Sequence, residues 1–162
     1  MQKTSAGILA YRQAVDGRLE VLLGHPGGPV WARRDRGCWS IPKGEFNIVD
    51  ETPLDAARRE FAEETGFTVS GKILELGTAT MSSGKVVYGF AVECADLDAS
   101  LTSSNMADME WPPHSGRRVS FPEIDRCEWF GLTEALIKVL PGQQVLLTNL
   151  KAHLDDAGLK RK

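Results

Sequence analysis

The sequence predicts an α/β fold of the α+β type, in which a mixed β-sheet lies between helical layers. Two observations support this prediction. Short apolar, β-rich runs separated by turn signals surround one amphipathic helix, and two further helical segments close the chain. The length of 162 residues is enough for one domain with a substantial core, so we expect a single domain over residues 1–162.

The first strands are predicted on either side of a turn. Gly7–Arg12 and Leu19–Leu23 are largely apolar runs, and Asp16–Gly17 between them is a strong turn signal. A third, short strand is predicted over Trp39–Ile41, where Pro42 would end it.

The central helix has the clearest signals of any element. Thr52 is a good N-cap, Pro53 suits the first helical position, and Gly66 suits a C-terminal cap. Apolar side chains and one threonine recur at three- and four-residue steps, which predicts a helix with one face in the core. These residues are Leu54, Ala57, Phe61 and Thr65.

A second hairpin is predicted after this helix. Ile73–Thr80 and Val86–Cys94 have the composition of strands, and Ser82–Lys85 would form the turn between them. The segment of about 96–126 that follows has no clean periodicity, and we interpret it as a long insert. A stretch of this length without regular structure is usually functional or mobile.

The C-terminal part completes the predicted fold. Cys127–Phe130 is a short strand, and helical patterns follow over about 132–157. These patterns form two helices because Pro141–Gly142 would interrupt a single one.

Composition excludes several classes of protein. The net charge of −3 argues against a sequence-independent nucleic-acid binder, so no nucleic-acid polymer is expected as a partner. No apolar run is long enough for a signal peptide or a membrane span, and three widely spaced cysteines match no zinc motif. We therefore expect a cytoplasmic protein without a membrane partner, either a monomer or a homodimer.

Three glutamates of the central helix share one face. Glu60, Glu63 and Glu64 stand at positions i, i+3 and i+4, within an arc of roughly 100°. Two such charges about 5.5 Å apart repel by about 3 kcal/mol at an effective dielectric constant near 20. A hard divalent cation such as Mg²⁺ or Mn²⁺ would offset this repulsion. The alternative is a solvated acidic face, balanced by Arg58 and Arg59.

The surrounding residues favour the cation. The stretch from Gly44 to Phe67 resembles the signature of the Nudix hydrolases, Gly-x5-Glu-x7-Arg-Glu-U-x-Glu-Glu-x-Gly-U, in which U is bulky and apolar. "REFAEETGF" matches its second half, with phenylalanines at the U positions. Six residues rather than five separate Gly44 from Glu51, and Asp50 stands at the five-residue spacing. The intact spacing from Glu51 to Arg59 assigns the signature glutamate to Glu51.

The resemblance implies both a fold and an activity. The fold would be a Nudix-like α/β/α sandwich, with the signature over 44–67 as a catalytic loop-helix-loop. The activity would be metal-dependent cleavage of a nucleoside diphosphate linked to another moiety, with Mg²⁺ or Mn²⁺ as cofactor. In this chain, Glu60 and Glu64 would be metal ligands, and Glu63 would be a ligand or the base that activates water.

Other residues would support this site. By the same resemblance, Arg59 would orient the catalytic helix by pairing with Glu51, and Gly44 would offer a backbone carbonyl to the metal. The base can come from outside the signature in this family. Glu110 in the insert is the first such candidate, and Glu123 is the second.

The residues before the helix bear on the substrate. Pro-Lys-Gly at 42–44 looks more like the branch that cleaves dinucleoside polyphosphates than the nucleotide-sanitising branch, where Pro-Gly-Gly is usual. We expect Lys43 to contact a phosphate as a point charge, and the alternative is an ordinary exposed loop lysine. Arg34 and Arg117 are further phosphate candidates and Trp111 is a candidate for stacking on a base, each against the alternative of a surface or structural residue.

Several functions therefore remain open. The first is hydrolysis of a dinucleoside polyphosphate or a related nucleotide. The second is an NTP pyrophosphohydrolase that sanitises the nucleotide pool, and the third is an ADP-ribose or nucleotide-sugar pyrophosphatase. A non-catalytic nucleotide sensor is disfavoured because all the signature glutamates are present.

Overall fold

A computed structural model describes residues 3–160, and the side chains of residues 3–158. The described part contains eight strands and three α-helices. The strands are β1 (Thr4–Gln13), β2 (Leu19–Pro26), β3 (Lys43–Glu45), β4 (Ile73–Thr80), β5 (Val86–Glu93), β6 (Met106–Glu110), β7 (Arg118–Pro122) and β8 (Ile124–Gly131). The helices are α1 (Pro53–Thr65), α2 (Leu132–Lys138) and α3 (Gln144–Lys160).

Six strands form one mixed sheet with β1 at its centre. The order is β4-β5-β1-β2-β8, and β3 pairs with β1 beside this path. β1 is parallel to β5 and antiparallel to β2 and β3. Its first half, at Ser5–Gly7, pairs with β3, whereas its last residues, at Tyr11–Gln13, pair with β2. The two neighbours share one edge of β1, so β2 diverges from β1 where β3 begins.

Helices cover both faces of the sheet. On one face, α1 buries Ala57 and Phe61 in a cluster with Ile8 of β1. On the other face, Leu147 of α3 belongs to a second buried cluster, which contains Leu9 of β1. Successive residues of a strand point to opposite faces, so one strand supplies both clusters. The α/β/α sandwich predicted from the sequence is confirmed.

The two ends of α1 agree with the sequence signals. The Thr52 hydroxyl accepts a hydrogen bond from the Asp55 N–H at 3.1 Å, and Pro53 occupies the first helical turn. Gly66 ends the helix at φ 80°, a left-handed conformation that glycine adopts without a steric penalty. The helix therefore begins and ends where the sequence predicts.

The third strand lies further along the chain than predicted. Trp39 and Ser40 form only isolated bridges, and the strand follows Pro42 instead of ending there. The reason is that the Pro42 carbonyl still accepts the Ile8 N–H at 3.2 Å, so the missing proline N–H does not prevent pairing with β1.

The insert of about 96–126 is more regular than its sequence indicated. It contains a short 3₁₀ turn at Ala99–Leu101 and an antiparallel hairpin of β6 and β7, which forms a separate two-stranded sheet. The polar–apolar alternation of "RVSFP" and most of "MADME" is the signal for these strands, but each is only five residues long. The last strand, β8, also begins earlier than predicted, at Ile124 rather than Cys127.

Within the described residues, no helix has both the length and the apolar character required to cross a membrane.

Candidate active site

The three glutamates of α1 differ in their exposure. Glu60 and Glu64 are only 8% and 5% exposed, whereas the side chain of Glu63 is 38% exposed. Carboxylates are rarely buried to this extent unless they have a partner. Two of the predicted ligands therefore point into the protein, and the third lies at the surface beside them.

Arg59 connects the helix carboxylates to the loop before the helix. Its guanidinium donates to Glu51 at 2.5 Å and to Glu60 at 2.8 Å, and it lies 3.3 Å from Glu63. The hydrogen bond to Glu51 is the main reason why the pKa of Arg59 is raised and the pKa of Glu51 is lowered. The structure thus brings together four of the residues that the signature predicts.

The extra residue of the signature is accommodated in a tight turn. The Asn47 side chain accepts the Val49 N–H at 3.0 Å, and the Asn47 carbonyl accepts the N–H groups of Asp50 at 2.9 Å and Glu51 at 3.2 Å. An asparagine that bonds its own backbone two residues on is typical of such turns. The turn brings Glu51, rather than Asp50, to Arg59.

Gly44 lies directly against Glu60. A Cβ atom at Gly44 would be 2.0 Å from a carboxylate oxygen of Glu60, so no other residue fits without displacing that side chain. Gly44 is paired with Ala6 in the sheet, and the flanking bond from the Ile8 N–H to the Pro42 carbonyl makes this a hydrogen-bonded pair. The Gly44 carbonyl is therefore already an acceptor and has one lone pair left.

A cavity of about 180 Å³ lies where β2 diverges from β1. Lys43 and Glu64 line it, and the Lys43 side chain is half-buried. Burial and the neighbouring Lys85 lower the pKa of Lys43, and the charge of Glu64 opposes this effect. Within residues 3–160 the Lys43 ammonium group makes no hydrogen bond or ion pair. The remaining lining residues are Gly24, Pro26, Ser40, Ile41, Glu123 and Ile124.

Glu123 enters this cavity from outside the signature. Burial raises the pKa of Glu64 most strongly, and a hydrogen bond and a charge from Glu123 raise it further. Burial also raises the pKa of Glu60, against the opposing effect of Arg59. Two carboxyl groups in contact share a proton more readily than they carry two charges. The raised pKa values show that the charged forms of Glu60 and Glu64 are disfavoured in the site as it stands.

The structure places the two candidates from the insert differently relative to the cavity. Glu110, the first candidate, accepts the His114 N–H at 2.6 Å within the β6–β7 hairpin and does not line the cavity. Glu123, the second candidate, lies between β7 and β8 and lines the same cavity as Glu64. The polar–apolar alternation of β7 ends just before Glu123, so it would have placed this residue at the junction of two strands. That position is the sequence signal that favours Glu123 over Glu110 as the candidate base.

The three other predicted substrate contacts do not line the cavity. The exposed Arg34 guanidinium stacks over the Trp31 ring, with 5.5 Å to the ring centroid. Trp111 and Arg117 face each other at the outer end of the hairpin, where the Trp111 N–H donates to the Arg117 carbonyl at 2.9 Å. The structure therefore places Arg34, Trp111 and Arg117 outside the cavity.

His25 is a supporting residue that sequence reasoning missed. It is fully buried at the end of β2, and its Nε2 donates to the Arg34 carbonyl at 2.6 Å. Its Nδ1 lies 3.0 Å from a carboxylate oxygen of Asp125, which follows Glu123 by two residues. The histidine thus ties the arginine-containing loop to β8. Because 100 residues separate His25 from Asp125, no local pattern could indicate the contact.

The donor set of the site fits a hard cation. Glu60, Glu63, Glu64 and the Gly44 carbonyl are all oxygen donors, which Mg²⁺ and Mn²⁺ prefer. Between residues 3 and 160, no three acidic, histidine or cysteine side chains form a ready-made metal cluster. Glu60 is turned towards Arg59 and Glu64 towards Glu123, so these side chains would have to reorient around a cation.

Two larger hollows lie elsewhere on the molecule. One of about 770 Å³ is lined by the β1–β2 turn and helices α2 and α3, and one of about 1080 Å³ lies beside β5 and the end of α3. Neither contains a residue of the predicted site. The smaller cavity is therefore the candidate site, because the buried Glu64 and the half-buried Lys43 line it.

The fold is an α/β/α sandwich, and its central helix presents glutamate side chains at a cleft. This combination of fold and site defines the class of protein. The model of the NUDIX domain matches residues 1–150. The chain therefore belongs to the NUDIX family, as its resemblance over 44–67 predicted.

Curated relatives match only parts of the chain. An uncharacterized 17.7 kDa protein of Enterobacteria phage T4 is 39% identical over 87 residues, which are 52% of this chain and 55% of that protein. An RNA pyrophosphohydrolase of Xanthomonas campestris is 49% identical over 47 residues, which are 28% of this chain and 22% of that enzyme. The chain thus spans about half the length of the first relative and about a fifth of the second.

Solved structures share the fold over almost the whole chain. The NUDIX domain of Shewanella oneidensis NrtR, complexed with ADP ribose, has a TM-score of 0.65 at 16% identity and covers 95% of this chain and 89% of that one. A C. elegans Ap4A hydrolase has a TM-score of 0.64 at 22% identity and covers 94% of this chain and 98% of that one. At these identities the likeness establishes the fold alone.

Proposed function

We propose that this chain is a single-domain, metal-dependent Nudix hydrolase that cleaves a phosphoanhydride bond in a nucleoside diphosphate linked to another moiety. A dinucleoside polyphosphate is the first candidate substrate. The observation that carries this proposal is the meeting of Glu64, Glu123 and Lys43 around one cavity, with the buried Glu60 one helical turn before Glu64. Glu60 and Glu64 are buried on one helix, and a cation that neutralised them would also neutralise a polyphosphate.

Glu60, Glu63 and Glu64 would hold Mg²⁺ or Mn²⁺, with the free lone pair of the Gly44 carbonyl as a further donor. The cation would neutralise the phosphate charges and polarise a water molecule. The raised pKa of Glu64 reflects how unfavourable its charge is without such a partner. Arg59 would keep Glu60 and Glu63 in place while they bind.

Glu123 would serve as the general base. In the proposed reaction, the oxygen of a water molecule forms a bond to one phosphorus atom as the bond from that phosphorus to the bridging oxygen breaks. Glu123 takes a proton from the water, and the bridging oxygen leaves with the second phosphate. Glu123 lines the same cavity as Glu64, which supports this assignment. Lys43 would bind a phosphate oxygen from the other side of the cavity.

The size of the cavity limits what it would hold. A volume of about 180 Å³ is smaller than the roughly 300 Å³ at which pockets for small-molecule ligands begin. The cavity would therefore take the phosphates alone, and the nucleosides would lie on the surrounding surface. Arg34, Trp111 and Arg117 remain our candidates for contacts there.

The preference for a dinucleoside polyphosphate rests on two observations. Pro-Lys-Gly at 42–44 resembles the corresponding residues of that branch of the family. The fold likeness includes a protein described as an Ap4A hydrolase, at 22% identity. A second candidate substrate is the 5′ end of an RNA, because the 47-residue match at 49% identity is to RNA pyrophosphohydrolases. An RNA substrate would contradict our expectation that no nucleic-acid polymer is a partner.

A substrate panel tests the proposal. The purified protein is incubated with Mg²⁺ or Mn²⁺ and each of the diadenosine polyphosphates, nucleoside triphosphates, ADP-ribose and a triphosphorylated RNA. Product masses in ¹⁸O-labelled water identify the phosphorus that is attacked. We expect metal-dependent turnover, fastest on a diadenosine polyphosphate. Glu64→Gln should abolish it, and Glu123→Gln should lower kcat by about 10²- to 10⁴-fold.

Glu110→Gln is the matched control, because Glu110 is an exposed glutamate of the same insert that does not line the cavity. It should turn over at the wild-type rate. Wild-type activity in Glu64→Gln would refute the metal assignment. Tight binding of one nucleotide with no turnover of any would identify a sensor instead.

A further inference from the structure

Residues 103–105 form a strap across the C-terminal end of α1. The Ser103 N–H donates to the Thr65 carbonyl at 2.9 Å, and the Asn105 N–H donates to the Glu63 carbonyl at 3.1 Å. The last carbonyls of a helix have no partner within the helix, so the strap supplies two of the missing donors. The strap is thereby fixed relative to the turn that carries Glu63 and Glu64.

The same strap fixes the backbone around Glu123. The Glu123 N–H donates to the Asn105 carbonyl at 2.8 Å. The Ser104 hydroxyl accepts the Ile124 N–H at 2.9 Å and lies 3.1 Å from the Ile124 carbonyl, to which it can donate. From the other side, the Gly27 N–H donates to the Glu123 carbonyl at 2.9 Å. Glu123 is therefore held on both sides of its Cα atom.

This double attachment fixes the segment that carries Glu123 beside Glu64. Both side chains line the same cavity, Glu64 as a buried residue and Glu123 as an exposed one, so the backbone bonds on either side of Glu123 determine where its carboxyl group stands relative to Glu64. Among the strap side chains, only that of Ser104 bonds to the strand that follows Glu123. Its hydroxyl is thus placed to control the position of Glu123 without touching the cavity.

We propose that Ser104 is a positioning residue, whose hydroxyl sets Glu123 against Glu64 for proton transfer from water. This inference rests on the proposed function, since it requires Glu123 to be the base. Ser104 does not line the cavity and contacts no reacting atom in this scheme. Its contribution would be geometric, and a displacement of about 1 Å at a reacting group can lower the rate by about 100-fold.

The neighbouring serine provides a matched control. Ser103 precedes Ser104 in the strap and bonds to α1 through its backbone N–H, which an alanine keeps. Its side chain makes no hydrogen bond within the described part of the chain. Ser103→Ala and Ser104→Ala therefore remove the same atom from adjacent positions, and only the second removes a bond to Ile124.

The test compares kcat and KM on the best substrate of the panel, with thermal unfolding of every variant. Ser104→Ala should lower kcat by about 10- to 100-fold, with KM within a factor of two of the wild type. Ser103→Ala should match the wild type. Ser104→Thr keeps a hydroxyl and should recover most of the lost kcat, which a role in packing alone does not predict.

The decisive comparison is made in the Glu123→Gln background. If Ser104 acts through Glu123, adding Ser104→Ala to Glu123→Gln should lower kcat no further. The same fold-loss in both backgrounds would overturn the proposal, as would wild-type kcat in Ser104→Ala. If Ser104→Ala does not fold, the comparison is made with Ser104→Cys, which retains a weak donor.

Failure of the proposed function is distinguishable from failure of this inference. Wild-type activity in Glu123→Gln would remove the base and, with it, any role of Ser104 through that base. A slow Glu123→Gln beside a fully active Ser104→Ala would overturn the positioning role alone. An absence of turnover on every member of the panel would overturn both.

Discussion

Single residues decide how this protein keeps five glutamates close together. Arg59 contacts Glu51, Glu60 and Glu63, but it does not reach Glu64, whose contact is another carboxyl group, that of Glu123. One guanidinium therefore balances one side of the site and leaves the other to Lys43 and, in our proposal, to a cation. An Arg59→Lys change would not be conservative, because an ammonium group lacks the planar fork that spans several carboxylates.

Gly44 provides the sharpest prediction at the residue scale. In Gly44→Ala the new methyl group would overlap the Glu60 carboxylate, which would have to leave its position. We expect kcat to fall by at least about 100-fold, since one ligand is displaced. We also expect the stabilisation by Mg²⁺ in thermal unfolding to be lost. Both are measured against the wild type at equal metal concentration.

Gly131→Ala is the control for this substitution, because a Cβ atom at Gly131 would meet nothing within 4 Å. It should keep activity and metal stabilisation. Normal activity in Gly44→Ala would show that Glu60 can move without loss, which would contradict its role as a ligand.

The spacing of the signature predicts part of this residue-scale picture. Glu51 and Arg59 lie eight positions apart, across the start of α1, and the structure brings them into contact. Glu60 and Glu64 lie one helical turn apart and are both buried. Glu123 could not be ranked by the same reasoning, because its contact depends on the position of a hairpin that is too short for a strong pattern.

At the scale of elements, the β6–β7 hairpin is the part least attached to the fold. None of its residues is fully buried, and it pairs with no strand of the main sheet. Its inner face carries half-buried apolar residues, among which Phe121 lies against Gly28. An isolated two-stranded hairpin is only marginally stable. This hairpin therefore depends on its attachment at the strap and at Gly27–Gly28.

Shortening this hairpin tests its role in substrate selection. Replacement of residues 108–120 by Asn-Gly keeps the pair Ala107–Phe121 and closes it with a two-residue turn. We expect a nearly unchanged unfolding temperature, because no buried residue is removed. The ratio of kcat/KM between diadenosine polyphosphate and nucleoside triphosphate should change by about tenfold or more, since such a change corresponds to about 1.4 kcal/mol of contacts.

The point variants Trp111→Ala and Arg117→Ala assign any change to a single side chain at the tip. An unchanged substrate ratio in the shortened protein would mean that the hairpin has no part in selection.

Elements with strong local signals were predictable, and those that depend on distant pairing were not. Helix α1 combines a cap, a first-turn proline and an apolar stripe, and its bounds agree with the prediction. β3 was misplaced because Pro42 is a local signal for the end of a strand, whereas the actual pairing with β1 continues past it. The strands of the hairpin were missed because five residues give too little alternation to distinguish from chance.

At the scale of the whole molecule, one sheet packs against α1 on one face and against the C-terminal helices on the other. Leu147 of α3 is fully buried in the cluster on the face opposite α1. Leu147→Ala should lower the free energy of unfolding by about 2–5 kcal/mol, the usual cost of removing a buried leucine side chain. Chemical denaturation followed by circular dichroism measures this difference.

Val145→Ala, in the same helix, is the matched control, since Val145 is 41% exposed. It should change the free energy of unfolding by about 0.5 kcal/mol or less. If Leu147→Ala behaves like this control, α3 does not belong to the cooperative core.

The positions of the strap and of Glu123 in the sequence also determine when the proposed site can be completed during synthesis. A ribosome completes helix α1 well before it adds residues 103–105, and Glu123 follows later still, at position 123 of 162. An emerging chain thus carries the glutamate helix for many translation cycles without the residues that complete its site. A prematurely terminated polypeptide ending before residue 123 would therefore lack the base that we propose, even though its glutamate helix was complete.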